Sequence, residues 1–363
     1  MSAEKRRKGR RDYGITAAEG INNCISRYCK PFTSHTSERL NILTLNRIKQ
    51  KNITMSKIKR YSKNPILTRK DIPYPVATVY NAGVVKFNGK YIMLFRSNIE
   101  NGRSIIGIAE SKDGYNFTSH KKPFLEPTSN DIFGVYEEYG VEDARITLLE
   151  DYFYITYSVY SRYGVRSALA RTTNFEKVEK IAMITEVDQR NVVLFPEKIN
   201  GMYVRLDRPH ADINPWGIWM SYSPDLIHWG NSKILIKPLH YHWDESKMGP
   251  GAPPIKTSEG WLNIFHACYP NINSTVYRLG VALHELNDPS KIIGVADEWI
   301  LQPEETYETS GYVPNVVFTC GAVPEKDGTV KIYWGGADEV MCAGKAKIKD
   351  LITLCRENPR KAL

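Results

Sequence analysis

Five stretches of this chain repeat one local plan, and that repetition narrows the folds open to it more than any other feature. KFNGKYIMLFR, LLEDYFYITYS, KINGMYVRLDR, KTSEGWLNIFH and EKDGTVKIYWGGAD each read as a turn, an aromatic residue, an alternating run and a terminal polar residue. Their turn markers, Gly89, Asp151, Gly201, Gly260 and Gly328, lie 62, 50, 59 and 68 residues apart. A second run rich in small residues follows each: SIIGIAES, SALARTT, GIWMSYS, LGVALHEL and MCAGKAKI. Period-two alternation, Asn-Gly and Asp-Gly turns and few capped helical patterns specify antiparallel hairpins. Repeated small sheets of this kind pack radially around a channel. The expected fold is all-β, a five-bladed β-propeller within residues 55–363.

The 363 residues, 42% apolar and 25% charged, leave ample material for such a core. The net charge of +9 is misleading as a nucleic-acid signal. Residues 1–54 hold 12 Lys/Arg against 4 Asp/Glu, and the rest of the chain holds 37 against 36. The basic stretch opens MSAEKRRKGRRDYG and has neither a signal-like apolar run nor a periodic apolar face. It is expected to be disordered, with a basic arm for RNA or an acidic surface as an alternative. A transit peptide fits less well, because Glu4, Asp12 and Glu19 interrupt it. Met55, opening MSKIKRYSKNPIL, is a second candidate start.

Six dispersed cysteines, with no CxxC pair or zinc spacing, point to a reduced, cytoplasmic protein without a metal centre. His240 and His242 in HYHWDE lack a matched distant partner and read as surface residues. No apolar run reaches the roughly 18 residues a membrane span needs. A homo-oligomer is compatible with all of this, and nucleic acid is not an expected partner of the propeller.

Radial packing brings equivalent positions together, so Arg96, Tyr157, Arg208, His266 and Asp338 are expected to converge at one mouth of the channel. In YGVEDARIT the adjacent Glu142 and Asp143 stand just before a strand-like run. Acids in turns are ordinarily solvated loop residues. The stretches YNAGVVKFNGKYIMLFR, GRSIIGIAES, YGVEDARIT, NVVLFPEKINGMYV, SYSPDLIHWG, KMGPGAPPIKTSEGWL, YETSGYVPNVVFTCG and YWGGAD supply a different reading. Together they resemble glycoside hydrolase family 130, the β-mannoside phosphorylases and their hydrolytic relatives, over residues 60–345.

The resemblance implies a five-bladed propeller and makes Asp143 the catalytic acid, which protonates the leaving oxygen through the 3-hydroxyl of the bound mannose. Ala144 stands where the commonest family form has proline, a change of turn stiffness that leaves the carboxylate in place. Glu142 and Arg145 are implied to orient the acid and contact the sugar. Arg190, Arg208 and His266 match phosphate-binding positions, with Lys198 and Lys247 as nearby alternatives. Asn315 and Asp338 match positions that contact the mannosyl unit, as Arg96 is also expected to do, and Tyr307 with Glu308 lies near the leaving-group side.

Chemistry separates the two reactions of such a family. An inverting hydrolase needs one carboxyl group as acid and another to activate water across the ring. Phosphate arrives as a ready nucleophile, so a phosphorylase needs one acid and a cationic pocket, for which arginine is well suited. The expected function is an inverting β-mannoside phosphorylase using inorganic phosphate as co-substrate and no cofactor. β-1,2-Mannobiose or β-1,2-mannooligosaccharides lead as substrates, ahead of β-1,4-mannosides. A β-1,2-mannosidase and a non-catalytic carbohydrate-binding propeller are the alternatives.

Overall fold

A computed structural model describes residues 57–129, 131–210, 216–272 and 274–363, so the expectations for the basic stretch 1–54 and for Met55 lie outside the described residues. A short strand, β1 (Lys59–Arg60), precedes five antiparallel meanders. The first comprises β2 (Tyr80–Phe87), β3 (Lys90–Asn98), β4 (Ser104–Ser111) and β5 (Thr118–Ser119). The second comprises β6 (Gly140–Leu149), β7 (Tyr152–Ser161), β8 (Gly164–Thr172) and β9 (Glu179–Met183). The third comprises β10 (Gln189–Leu194), β11 (Tyr203–Pro209), β12 (Ile218–Ser223) and β13 (Gly230–Ile236). In the fourth, β14 (Lys247–Pro250) and β15 (Ile255–Thr257) share the edge of β16 (Gly260–Pro270), followed by β17 (Thr275–His284) and β18 (Ile292–Ala296). The fifth comprises β19 (Val317–Pro324), β20 (Thr329–Gly336) and β21 (Val340–Lys347), with β1 as its outer strand. A ten-residue helix, Ile348–Glu357, and β22 (Pro359–Arg360) end the chain, β22 pairing with β18.

The five turn markers all fall where the first and second long strands of a meander meet. Asn88–Gly89 and Asn200–Gly201 have positive φ at both positions, 48° and 75° in one and 51° and 80° in the other. Two such residues form the tight turn whose twist matches the flanking strands. The all-β expectation therefore holds, carried by local turn chemistry and alternation. Five separate blades do not appear in the hydrogen bonding: the strands form four sheets. The first two meanders share an eight-stranded sheet through a parallel pairing of Ser104 with Gly140.

Each meander buries one face against the next. Ile92 and Leu94 of the first meet Ile146 and Ile155 of the second. Tyr154 and Leu169 meet Leu194 and Tyr203 of the third. Leu206 and Met220 meet Phe265 and Ala282 of the fourth, whose Ile264 and Val281 meet Ile332 and Trp334 of the fifth. Tyr333 and Met341 of the fifth return to Met93 and Phe95 of the first. Burying each large side chain of this kind contributes roughly 1.5–3 kcal/mol. The first strands also approach closely: a Cβ on Gly83 of β2 would lie 2.6 Å from the Ala144 carbonyl oxygen of β6. Only glycine allows that contact, and it brings the polar ends of β2 and β6 together.

Among the described residues the four cysteines are buried and unpaired, and no helix is long and apolar enough to cross a membrane.

One buried carboxylate ties β1 to the fifth meander. Glu308, in the short helix Thr306–Thr309, is fully buried. It accepts from Arg60 Nε at 3.0 Å and Nη2 at 2.8 Å, from Trp334 Nε1 at 3.1 Å and from the Glu304 and Glu305 backbone amides. Arg60 keeps Glu304 when Glu308 is removed, but the buried Trp334 Nε1 loses its acceptor, so Glu308→Ala should lower unfolding free energy by about 1–3 kcal/mol. Denaturant titration measures this, and an unchanged unfolding midpoint would contradict the role.

Candidate active site

The first strands of three meanders break register at the same point. Pairing of β2 with β3 skips from Tyr80 to Gly83, that of β6 with β7 from Glu142 to Arg145, and that of β10 with β11 from Arg190 to Val193. Each gap is a bulge, and within each sits one residue in the left-handed region: Asn81 at φ 47°, Asp143 at 52° and Asn191 at 61°. Asn and Asp tolerate this conformation better than other side-chain-bearing residues. Bulges re-aim side chains. Here all three line one cavity of about 360 Å³ at the ends of the meanders, within the size range of small-ligand sites.

One half of the cavity is built around carboxylates. Asp143 Oδ1 accepts from Asn81 Nδ2 at 3.0 Å and lies 3.5 Å from Arg96 Nη1. Arg96 Nη2 donates to Glu142 Oε1 at 2.9 Å, its Nε donates to Ser104 Oγ, and its guanidinium lies over the Tyr80 ring. Glu142 Oε2 in turn faces Arg190 Nη1 at 3.5 Å. Asp338, at φ 51°, completes this half. Burial pushes its carboxyl up to about 7, opposed by Arg96 and reinforced by the Asp143 and Glu142 charges.

The other half is cationic. Arg190, Arg208, His210 and Lys247 line it. Burial lowers the pKa of Arg208, with Arg190 and Arg145 adding repulsion. Lys247 is lowered by burial and by Arg208 and Arg190. His210 is lowered by burial and by the same three cations. Among the described residues no carboxylate pairs with Arg208 or Lys247, and Arg190 Nε and Arg208 Nε have no hydrogen-bond partner. Crowded cations with orphaned donors form a site for an anion.

Arg145 joins the halves from below. It is buried, and donates from Nη1 to the Asp143 carbonyl oxygen at 2.9 Å, from Nη2 to Asn191 Oδ1 at 3.2 Å and from Nε to the Gly251 carbonyl oxygen at 3.4 Å. His266 is also fully buried, its Nε2 next to Asn191 Nδ2 and Arg208 Nη1.

Of the residues expected from sequence, Arg96, Asp143, Arg190, Arg208 and Asp338 line the cavity, Glu142 braces Arg96 and Arg190, and Arg145 and His266 lie beneath. Asn315, at φ 63°, sits between the lining residues Val313 and Val316, its Nδ2 3.4 Å from Ser274 Oγ. Lys198 is not there: it pairs with Glu150 at 2.9 Å over the Tyr203 ring, beside the β10–β11 turn, at the opposite end of the hairpin from the bulges. Tyr307 packs on the apolar cluster between the fourth and fifth meanders, and Glu308 is consumed by Arg60 and Trp334. Tyr157 is buried with its hydroxyl on Glu137, so the second meander contributes Asp143 in its place. Sequence reasoning overlooked Asn81, Asn191, His210, Tyr277 and Phe318 as lining residues. The first two were detectable as the polar residue recurring at the Asp143 position of the repeat, in YNAG and RNVV.

Comparison with known proteins matches residues 44–357 to the model of a family described as beta-1,4-mannooligosaccharide phosphorylase, glycoside hydrolase family 130. The chain is 37% identical to the 1,2-beta-oligomannan phosphorylase of Thermoanaerobacter sp. (strain X514), over 82% of this chain and 99% of that one. It is 33% identical to the beta-1,2-mannobiose phosphorylase of Listeria innocua, over 81% of this chain and 97% of the relative. A solved structure of beta-1,2-mannobiose phosphorylase from Listeria innocua, in complex with beta-1,2-mannobiose, superposes with a TM-score of 0.77 at 31% identity, covering 83% of this chain and 99% of that one. With a sequence match and a fold match over most of its length, this chain belongs to glycoside hydrolase family 130.

Proposed function

We propose that this chain is an inverting β-mannoside phosphorylase that transfers a mannosyl unit to inorganic phosphate. The observation that carries the reading is one cavity divided between a carboxylate half and a cationic half. β-1,2-Mannobiose or β-1,2-mannooligosaccharides are the proposed substrates, supported by the two relatives named for β-1,2-linked mannans. The closed series of apolar clusters, which returns from the fifth meander to the first, supports a five-bladed propeller as the frame.

In this reading Arg190, Arg208 and Lys247 hold the phosphate. One of its oxygens bonds to the anomeric carbon as the bond to the leaving oxygen breaks, and a proton from Asp143 ends on that oxygen, relayed by a sugar hydroxyl. Direct displacement turns the β-linkage into α-mannose 1-phosphate. Asn81 and Arg96 hold Asp143 Oδ1, Glu142 holds Arg96, and Asp338 and Asn315 contact the mannosyl unit. Inorganic phosphate is the co-substrate, and the reading calls for no cofactor. Hydrolysis would call for a carboxylate base on the face opposite the acid. The second carboxyl, Asp338, shares its surroundings with Arg96, Asp143 and Glu142, while guanidinium and ammonium groups occupy the other half.

Kinetics of two variants test the division of labour. Asp143→Asn keeps size but cannot supply a proton, so its rate should fall by about 10²- to 10⁴-fold with little change in sugar affinity. Arg208→Ala should weaken phosphate binding by about 1.5–3 kcal/mol, seen mainly in the phosphate KM. Mannosides with good leaving groups should partly rescue Asp143→Asn and leave Arg208→Ala unrescued. An identical response of both variants contradicts the assignment of Asp143 as the acid.

Asp338 gives a pH dependence. Its carboxyl stays protonated to about 7 in the folded protein, against an ordinary 3.8. The folded state thus binds more protons than the unfolded chain between those values. This contribution to stability is complete below the unfolded value and lost as the pH rises through the folded one. Asp338→Asn, which stays neutral, should gain melting temperature relative to wild type as the buffer goes from about pH 5 to about pH 8. A difference that grows toward acid contradicts this.

A further inference from the structure

We propose that a second basin, beside the catalytic cavity, binds the trailing units of a β-1,2-mannooligosaccharide, those beyond the sugar that carries the leaving oxygen; the inference rests on the phosphorylase reading above. The basin encloses about 440 Å³, against about 360 Å³ for the cavity. Arg103, Thr128, Val135, Glu138, Arg162 and Tyr163 are among its lining residues.

Basin and cavity lie at the same end of the meanders and share their supports. Arg103 directly precedes Ser104, whose Oγ accepts from Arg96 Nε of the cavity and whose amide donates to the Tyr139 carbonyl oxygen at 3.4 Å. The Tyr139 amide donates to the Tyr160 carbonyl oxygen at 2.8 Å, and the two rings meet edge to face with centroids 5.4 Å apart. The Tyr160 ring also lies 5.9 Å from the guanidinium carbon of Arg190, a cavity residue. Tyr139 and Tyr160, each 42% exposed, thus lead from the cavity to Arg162 and Tyr163 at the β7–β8 turn.

The direction of displacement selects this side. Phosphate held in the cationic half attacks one face of the anomeric carbon, so the leaving oxygen departs from the opposite face, toward Asp143 and Arg96. Those residues belong to the second and first meanders, and the basin opens where the same two meanders meet, at the starts of β4 and β6. A saccharide chain that leaves the cavity on the acid's side reaches it first.

The chemistry of the lining suits a sugar. Ile132, Val135, Tyr139, Tyr160 and Tyr163 are exposed here, a concentration of apolar surface that marks an interaction site. Tyrosine rings offer flat apolar faces to sugar C–H groups and a hydroxyl at the edge. Arg162 Nε donates to Glu138 Oε2 at 2.8 Å, and Arg103 adds its charge beside the same carboxylate. Guanidinium groups only donate and a carboxylate only accepts, so together they meet both sides of a sugar hydroxyl. With Glu138 answering these arginines, the basin lacks the crowded cations of the phosphate half and fits an uncharged ligand. Its floor is fixed by the fully buried Glu137, which accepts from the Thr128 amide at 3.0 Å, Lys180 Nζ at 2.6 Å and the Tyr157 hydroxyl at 3.1 Å. A floor ordered before the ligand arrives lowers the entropy cost of binding.

Phosphorolysis of β-1,2-linked mannobiose, mannotriose and mannotetraose by the full chain tests this. In the wild type, kcat/KM should rise about tenfold from the disaccharide to the tetrasaccharide. Tyr163→Ala and Arg162→Ala, both at an exposed turn, should each remove most of that rise at an unchanged melting temperature. Tyr312→Ala, an equally exposed aromatic beside Val313 on the fifth-meander side of the cavity, should keep it. A wild-type efficiency that does not change with chain length, or a rise that survives in both basin variants, overturns the proposal. Should one basin variant fail to fold, the other decides. Turnover that ignores phosphate would instead sink the phosphorylase reading, and the ratio between chain lengths would still judge the basin.

Discussion

The site depends on a buried guanidinium. Arg145 reaches the Asp143 carbonyl on the second meander, the Asn191 side chain on the third and the Gly251 carbonyl on the fourth, with the Phe318 ring of the fifth 5.7 Å away. Burying a charge in this way is costly unless every donor direction is met. Those oxygens meet it only if the first strands of the meanders stand in the observed register. The close contact of Gly83 with the Ala144 carbonyl and the bulges at Asn81, Asp143 and Asn191 set that register. Fold and site are therefore one problem: the hydrogen bonds that satisfy Arg145 also aim Asp143 and Asn191 at the cavity.

Above Arg145 the electrostatics are deliberately incomplete. Arg96 is matched by Glu142 and Asp143, whereas Arg208 and Lys247 face each other without a carboxylate among the described residues. Repulsion among buried cations is a standing cost that a bound dianion relieves. In the proposed reaction that anion is also the nucleophile, so the groups that bind it orient the attack. The carboxylate half then needs only one acid.

Much of this was legible because it is local. Turn residues at Gly89, Asp151 and Gly201 and the alternation that follows them are properties of a few adjacent residues, and the all-β class follows. Arg96, Arg208 and Asp338 could be placed because the repeat puts them at strand ends that meet, whereas Asp143 was placed by the resemblance of its motif and the repeat had pointed to Tyr157 instead. Lys198, Tyr307 and Glu308 could not: proximity to a motif in sequence does not say which end of a hairpin, or which side of a sheet, a residue occupies. Lys198 lies one strand length from the cavity, beside Glu150. Glu308 looked like a ligand-facing acid, but its partners, Arg60 and Trp334, are 248 and 26 residues away. Asn81 and Asn191 were hidden by bulges, which appear only once strands are paired. The single pairing of Ser104 with Gly140 that joins the first two meanders in one sheet is a contact between distant strand ends, which no local pattern announces.

The central claim is that phosphate, and not water, attacks the anomeric carbon. The most direct measurement is to follow the anomeric signals by NMR while the protein acts on β-1,2-mannobiose, with and without inorganic phosphate. The account predicts α-mannose 1-phosphate and free mannose in equal amounts when phosphate is present, and negligible turnover when it is absent. Release of mannose alone, at the same rate in both samples, would contradict it.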